Sequence, residues 1–127
     1  MLSQAKASTT KPSRLYNEAI RLDPNPATTW SNKCNTLNSQ GKYDDAINAC
    51  SEAIRLDPNL AMAWSNKGIA LTDDGKYDEA IKAYDEAIRL DPDLAAAWYN
   101  KGIALEALGR TTEAEAAFAK AKDLETT

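Results

Sequence analysis

The chain has 127 residues, enough for one domain, with a net charge of −4 and no histidine. The negative balance argues against nucleic acid, whose phosphates demand a basic patch, and no apolar run is long enough to span a bilayer. The start, MLSQAKASTT, lacks the apolar core of a signal peptide, and two cysteines are too few for a disulfide scaffold, so a cytoplasmic protein is the default expectation.

Residues 1–11 are polar and are expected to form a disordered lead-in. Residues 12–26 carry the phrase EAIRLDPN at 18–25. It returns unchanged at 52–59 and, with Asp for the last Asn, at 86–93. Laying 27–60 over 61–94 gives 21 identities in 34 positions, and 95–127 follows in register. Trp30, Trp64 and Trp98 share one column, and Gly41, Gly75 and Gly109 another. Ala46, Ala80 and Ala114 form a third, and Ala53, Ala87 and Ala121 a fourth. The chain therefore divides into a half unit at 12–26 and full units at 27–60, 61–94 and 95–127. Such a period marks a stacked repeat.

Each full unit is predicted to hold two helices. In the second unit the first runs from Ala61 to Asp74 and the other from about Asp78 to Leu90. Gly75 suits the left-handed position that closes a helix, and Asp78 is expected to cap the next through its carboxylate. Asp91-Pro92 stops that helix, because proline disfavours helix in the residue before it. Trp64, Gly68 and Leu71 fall at helical spacing in the first helix, and Ile81, Tyr84 and Ile88 in the second. No β-branched alternation predicts a strand.

These columns resemble the tetratricopeptide repeat (TPR), whose pattern is W-x2-L-G-x2-Y, then A-x3-F, then P. The matching residues are Trp64, Lys67, Gly68, Leu71, Ala80, Tyr84 and Pro92. Lys67 stands for the usual Leu, Leu71 for Tyr and Tyr84 for Phe. The resemblance covers 27–127, with the half unit at 12–26. It implies an all-α fold, a right-handed solenoid of helical hairpins.

Differences between units carry further information. Ile47 and Ile81 correspond to Glu115, and Ile54 and Ile88 to Lys122. The two columns are expected to pack on the first helix of the following unit and to turn charged where no unit follows. Glu115 and Lys122 are thus expected to mark a capping face. At the other end no first helix precedes 12–26, which leaves Tyr16 and Ala19 facing an absent partner. The cysteines fit a packing account. Cys34 sits with Gly68 and Gly102, and Cys50 with Tyr84 and Phe118. A small–large pair is exchanged for two medium residues at similar core volume. Two reduced core thiols are expected; a disulfide requires the Cα atoms within roughly 7 Å.

No catalytic constellation is present. The commonest general base is missing, and neither cysteine has a histidine partner. Asp44-Asp45 and Asp73-Asp74 are expected to be solvated charges beside turns. With no histidine and two sulfurs, no metal site or cofactor is expected. The site is instead expected to be a surface. The resemblance implies a concave groove along the first helices that takes a peptide or partner segment. Its candidates are Asn32, Asn35, Asn66 and Asn100, whose carboxamides both donate and accept, with Met62, Ile69, Tyr99 and Ile103 for apolar contact. An inter-repeat hydrogen-bond ladder is the competing account of the asparagine column.

Some relatives hold a chaperone's C-terminal carboxylate with two lysines, two asparagines and an arginine. Here Asn35 and Asn66 would serve as the asparagines, but the cationic places hold Ser31, Ala96 and Asn100. A standard clamp is therefore not expected. Lys33, Lys67 and Lys101 are expected along the helix flank, stems packed and ammonium groups in water. The leading expectation is a non-catalytic protein-interaction module with a protein or peptide partner, and with neither nucleic acid nor membrane. The alternative is a self-assembling structural protein that stacks through Tyr16 and Ala19.

Overall fold

The computed structural model describes residues 25–126. Within them lie six α-helices and no strand: α1 (Pro26–Ser39), α2 (Tyr43–Leu56), α3 (Ala61–Asp73), α4 (Tyr77–Leu90), α5 (Ala95–Ala107) and α6 (Thr111–Thr126). They pair as α1–α2, α3–α4 and α5–α6, and neighbouring pairs stack into an all-α helical-hairpin solenoid. Tyr16, Ala19 and the half unit up to residue 24 lie outside the described residues, and Pro26, assigned to the half unit, opens α1.

The turn inside each hairpin follows from its glycine. Gly75 has φ +81°, a conformation that costs a side-chain-bearing residue a steric penalty. Its N–H donates to the Thr72 carbonyl at 3.0 Å, and the Lys76 N–H donates to the Leu71 carbonyl at 2.8 Å. This is a Schellman closure, which satisfies carbonyls that the helix end leaves open. Gly41 and Gly109 repeat it, with φ +77° and +79°.

The turn also corrects the expected cap. Helix α4 starts at Tyr77, with Lys76 as N-cap and no side-chain cap bond. The Schellman turn delivers a non-helical Lys76 (φ −95°, ψ 70°), so the helix begins before Asp78 is reached. Asp78 lies in the first turn with Glu79, where a carboxylate meets the positive end of the helix dipole.

The Asp-Pro stop holds as expected. Asp91 is extended (φ −141°, ψ 89°), and its Oδ1 accepts the Asp93 N–H at 3.2 Å. The tryptophan column has a matching role. Trp98 Nε1 donates to the Pro92 carbonyl at 2.9 Å, and Trp64 Nε1 to the Pro58 carbonyl at 3.0 Å. Each of these indoles clips its helix to the loop that precedes it.

Helices within a hairpin approach closely because small residues line the contact. The alanines at 46, 80 and 114 and at 53, 87 and 121 are buried. Gly68 lies under the Tyr84 ring, and a Cβ there would stand 2.5 Å from it. Gly102 has the same relation to Phe118, at 2.6 Å. The first hairpin fills these columns differently. Cys34 and Cys50 are joined as a disulfide, with Cα atoms 5.2 Å apart. The expectation of reduced thiols is thereby corrected. The columns in which glycine meets a ring are where the two backbones come close enough for two sulfurs to bond.

Between hairpins, Ile81 is buried in a cluster with Ala104 and Leu105 of α5, and Ile47 packs with Ala70 of α3. Ile54 and Ile88 are only half-buried. The counterparts on α6, Glu115 and Lys122, are both exposed.

Candidate interaction groove

The first helices of the hairpins, α1, α3 and α5, lie side by side, with α1 contacting α3 and α3 contacting α5. Side-chain hydrogen bonds join α1 and α3 through two residue pairs. Asn66 Nδ2 donates to Ser31 Oγ at 2.9 Å and approaches the Ser31 carbonyl at 3.4 Å. Asn38 Nδ2 donates to Asp73 Oδ2 at 2.8 Å. The Asn38–Asp73 bond has no equivalent between α3 and α5, where the same two columns hold Thr72 and Ala107. Thr72 turns inward instead. Its Oγ1 donates to the Gly68 carbonyl at 2.8 Å and lies 2.9 Å from the Tyr84 hydroxyl. Burial pushes the Tyr84 hydroxyl well above its ordinary pKa, so it stays neutral beside Thr72.

The asparagine column is therefore not uniform. Asn66 is half-buried, with its donor engaged between hairpins. Asn32 and Asn35 are exposed on α1. Asn100 is half-buried, and its side chain makes no hydrogen bond among the described residues. The apolar candidates divide as well. Met62 and Tyr99 are each 54% exposed and Ile103 is 37% exposed. Ile69 is half-buried against the core. Tyr99 and Ile103 stand one turn apart on α5. The Tyr99 ring is braced by Phe118, with centroids 5.4 Å apart and planes at 53°. An exposed ring held this way offers contact area at low entropic cost.

The lysine column lies elsewhere. Lys33, Lys67 and Lys101 sit over the rings of Trp30, Trp64 and Trp98, at 4.8, 5.7 and 5.7 Å from the centroids. Lys101 Nζ also reaches Asp85 Oδ1 of α4 at 2.7 Å. A crevice of about 370 Å³ lies between α1 and α2 beside Trp30 and Lys33, and one of about 260 Å³ repeats it beside Trp64 and Lys67. The lysines thus line the flank between the two helix layers, as their stems and charge favour.

Sequence reasoning missed the Asn38–Asp73 bond, the Thr72–Tyr84 contact and the Phe118 brace. Phe118 carried a signal, since its column opposes Gly102, beside Tyr99. Asn38 carried none, because its column does not repeat. Among the described residues no group of acidic, cysteine or histidine side chains is placed to hold a metal ion. No described helix is long and apolar enough to cross a membrane.

Comparison with known proteins agrees with this architecture. Family models described as tetratricopeptide repeat match residues 27–60, 49–82 and 95–127, and one described as TPR repeat matches 68–109. The second TPR of Spaghetti (RPAP3), solved with the HSP90 peptide SRMEEVD, is 30% identical with a TM-score of 0.75, over 84% of this chain and 98% of that one. The first TPR of Spaghetti (RPAP3), bound to the same peptide, is 27% identical with a TM-score of 0.76, over 80% of each chain. The first TPR domain of human RPAP3 is 27% identical with a TM-score of 0.77, again over 80% of each. No curated protein matches the chain. The chain belongs to the tetratricopeptide repeat family.

Proposed function

We propose that the chain is a non-catalytic interaction module that takes an extended peptide or partner segment along α1, α3 and α5. The observation that carries this reading is the exposure of Met62, Tyr99 and Ile103 on those helices. Large apolar side chains left in water on a repeat scaffold suit a recognition surface. Asn32, Asn35 and Asn100 supply donors and acceptors for a peptide backbone, while Asn66 offers its carbonyl oxygen. Two structural neighbours carry a bound peptide, which supports the mode of binding. Their peptide, SRMEEVD, is acidic, and this chain has Ser31, Ala96 and Asn100 where a carboxylate clamp needs cations. Ser31 is moreover buried against Asn66. The ligand therefore differs in chemistry from that of the neighbours.

Affinity is expected on the order of micromolar, about −8 kcal/mol. The test is fluorescence anisotropy with a peptide selected on the full chain. Tyr99→Ala is expected to weaken binding by roughly 10-fold or more, the loss of about 1.4 kcal/mol or more that an anchoring aromatic gives, with helicity unchanged. Unaltered affinity in Tyr99→Ala would remove the groove reading. Asn32→Ala is the cleaner asparagine variant, since Asn66→Ala also breaks the bond to Ser31. Residence sets the state of the cysteines: an oxidising compartment keeps the bridge and a reducing cytosol opens it.

A further inference from the structure

We infer that the groove selects a segment bearing lysine or arginine beside apolar residues and rejects an acidic one; this rests on the groove reading above. The argument begins with the charges on the groove-forming helices. Their only cations among the described residues are Lys33, Lys67 and Lys101, and all three lie over tryptophan rings on the flank. Lys101 leans further away, to Asp85 on the second helix layer. Their only carboxylates are Asp73 and Glu106, and both are exposed.

Both carboxylates stand in the last turn of their helix, at the negative end of the helix dipole. Asn38 steadies Asp73 through one oxygen. The Asn38 Oδ1 is itself buried and has no donor among the described residues. The exposed face of Tyr99 adds an aromatic quadrupole, which also attracts a cation. A lysine or arginine side chain suits the α5 part of this surface, its stem on Ile103 and its charge toward Glu106, three residues on along the same helix. A glutamate in the same place meets like charge, and among the described residues α1, α3 and α5 themselves carry no cation there to offset it.

The test is panning of a random peptide phage library on the immobilised full chain, on Asp73→Asn/Glu106→Gln and on Tyr99→Ala. Wild-type selections are expected to be enriched in Lys and Arg next to apolar residues. The double variant is expected to lose that enrichment, and the synthetic form of a selected peptide to bind it about three- to tenfold more weakly, as two exposed ion pairs allow. Binding to the wild type should also weaken as salt rises toward roughly 1 M, where charges beyond ~3 Å are screened. Neutral or acidic peptides that depend on Tyr99 would overturn the charge preference and leave the groove standing. Basic peptides indifferent to the double variant would overturn it as well. If no selected peptide depends on Tyr99, the groove reading itself fails, and this inference with it.

Discussion

Cys34 and Cys50 show how far single residues can be read. Their columns were legible, because Gly68 with Tyr84 and Gly102 with Phe118 identify two positions that must touch. The covalent state was not, because volume conservation is met equally by two thiols and by a bridge. The bridge closes a loop with a sequence separation of 16, for which chain-entropy arguments give about 3 kcal/mol. Urea unfolding with and without reductant is expected to show a loss of about 2–4 kcal/mol on reduction. The Cys34→Ala/Cys50→Ala variant is expected to show no response to reductant at all. The groove asparagines teach the same lesson. Asn32, Asn66 and Asn100 repeat in one column, yet Asn66 donates to Ser31 while the Asn100 side chain makes no hydrogen bond among the described residues. Column membership gave the face of the helix and not the partner of the side chain.

At the scale of the element, helix ends divide by how local their cause is. The glycine closure and the Asp-Pro stop were legible because each is written in two or three consecutive residues. The N-terminus of α4 was not, since it depends on the backbone angles that the Schellman turn hands to Lys76. The clip from each indole to its preceding loop also escaped the sequence, although its two columns, tryptophan and proline, were both visible. Trp64→Phe keeps an aromatic ring but removes the pyrrole N–H that bonds the Pro58 carbonyl. A loss of about 0.5–1.5 kcal/mol is expected by chemical denaturation, toward the lower end because the bond is exposed. Faster amide exchange confined to the 57–60 loop should accompany it.

For the whole molecule, stability comes from each hairpin covering the flank of the next. Ile81 is buried against α5, whereas Glu115, its counterpart on α6, is exposed. Ile81→Ala is therefore expected to cost roughly 2–5 kcal/mol, and Glu115→Ala to stay within about 0.5 kcal/mol of wild type, both by equilibrium unfolding. The solenoid was legible from the period alone. Which exposed side chains matter for binding was only partly legible, because exposure depends on neighbours: Ile69 and Ile103 share a column, yet Ile69 packs on the core and Ile103 is exposed. The groove account is tested most directly by isotope-edited NMR, titrating the full chain with a peptide selected on it. It predicts that the resonances that move belong to Met62, Asn66, Tyr99 and Ile103 on α3 and α5. Movement centred instead on the crevice beside Trp64, Lys67 and Glu86 would contradict it.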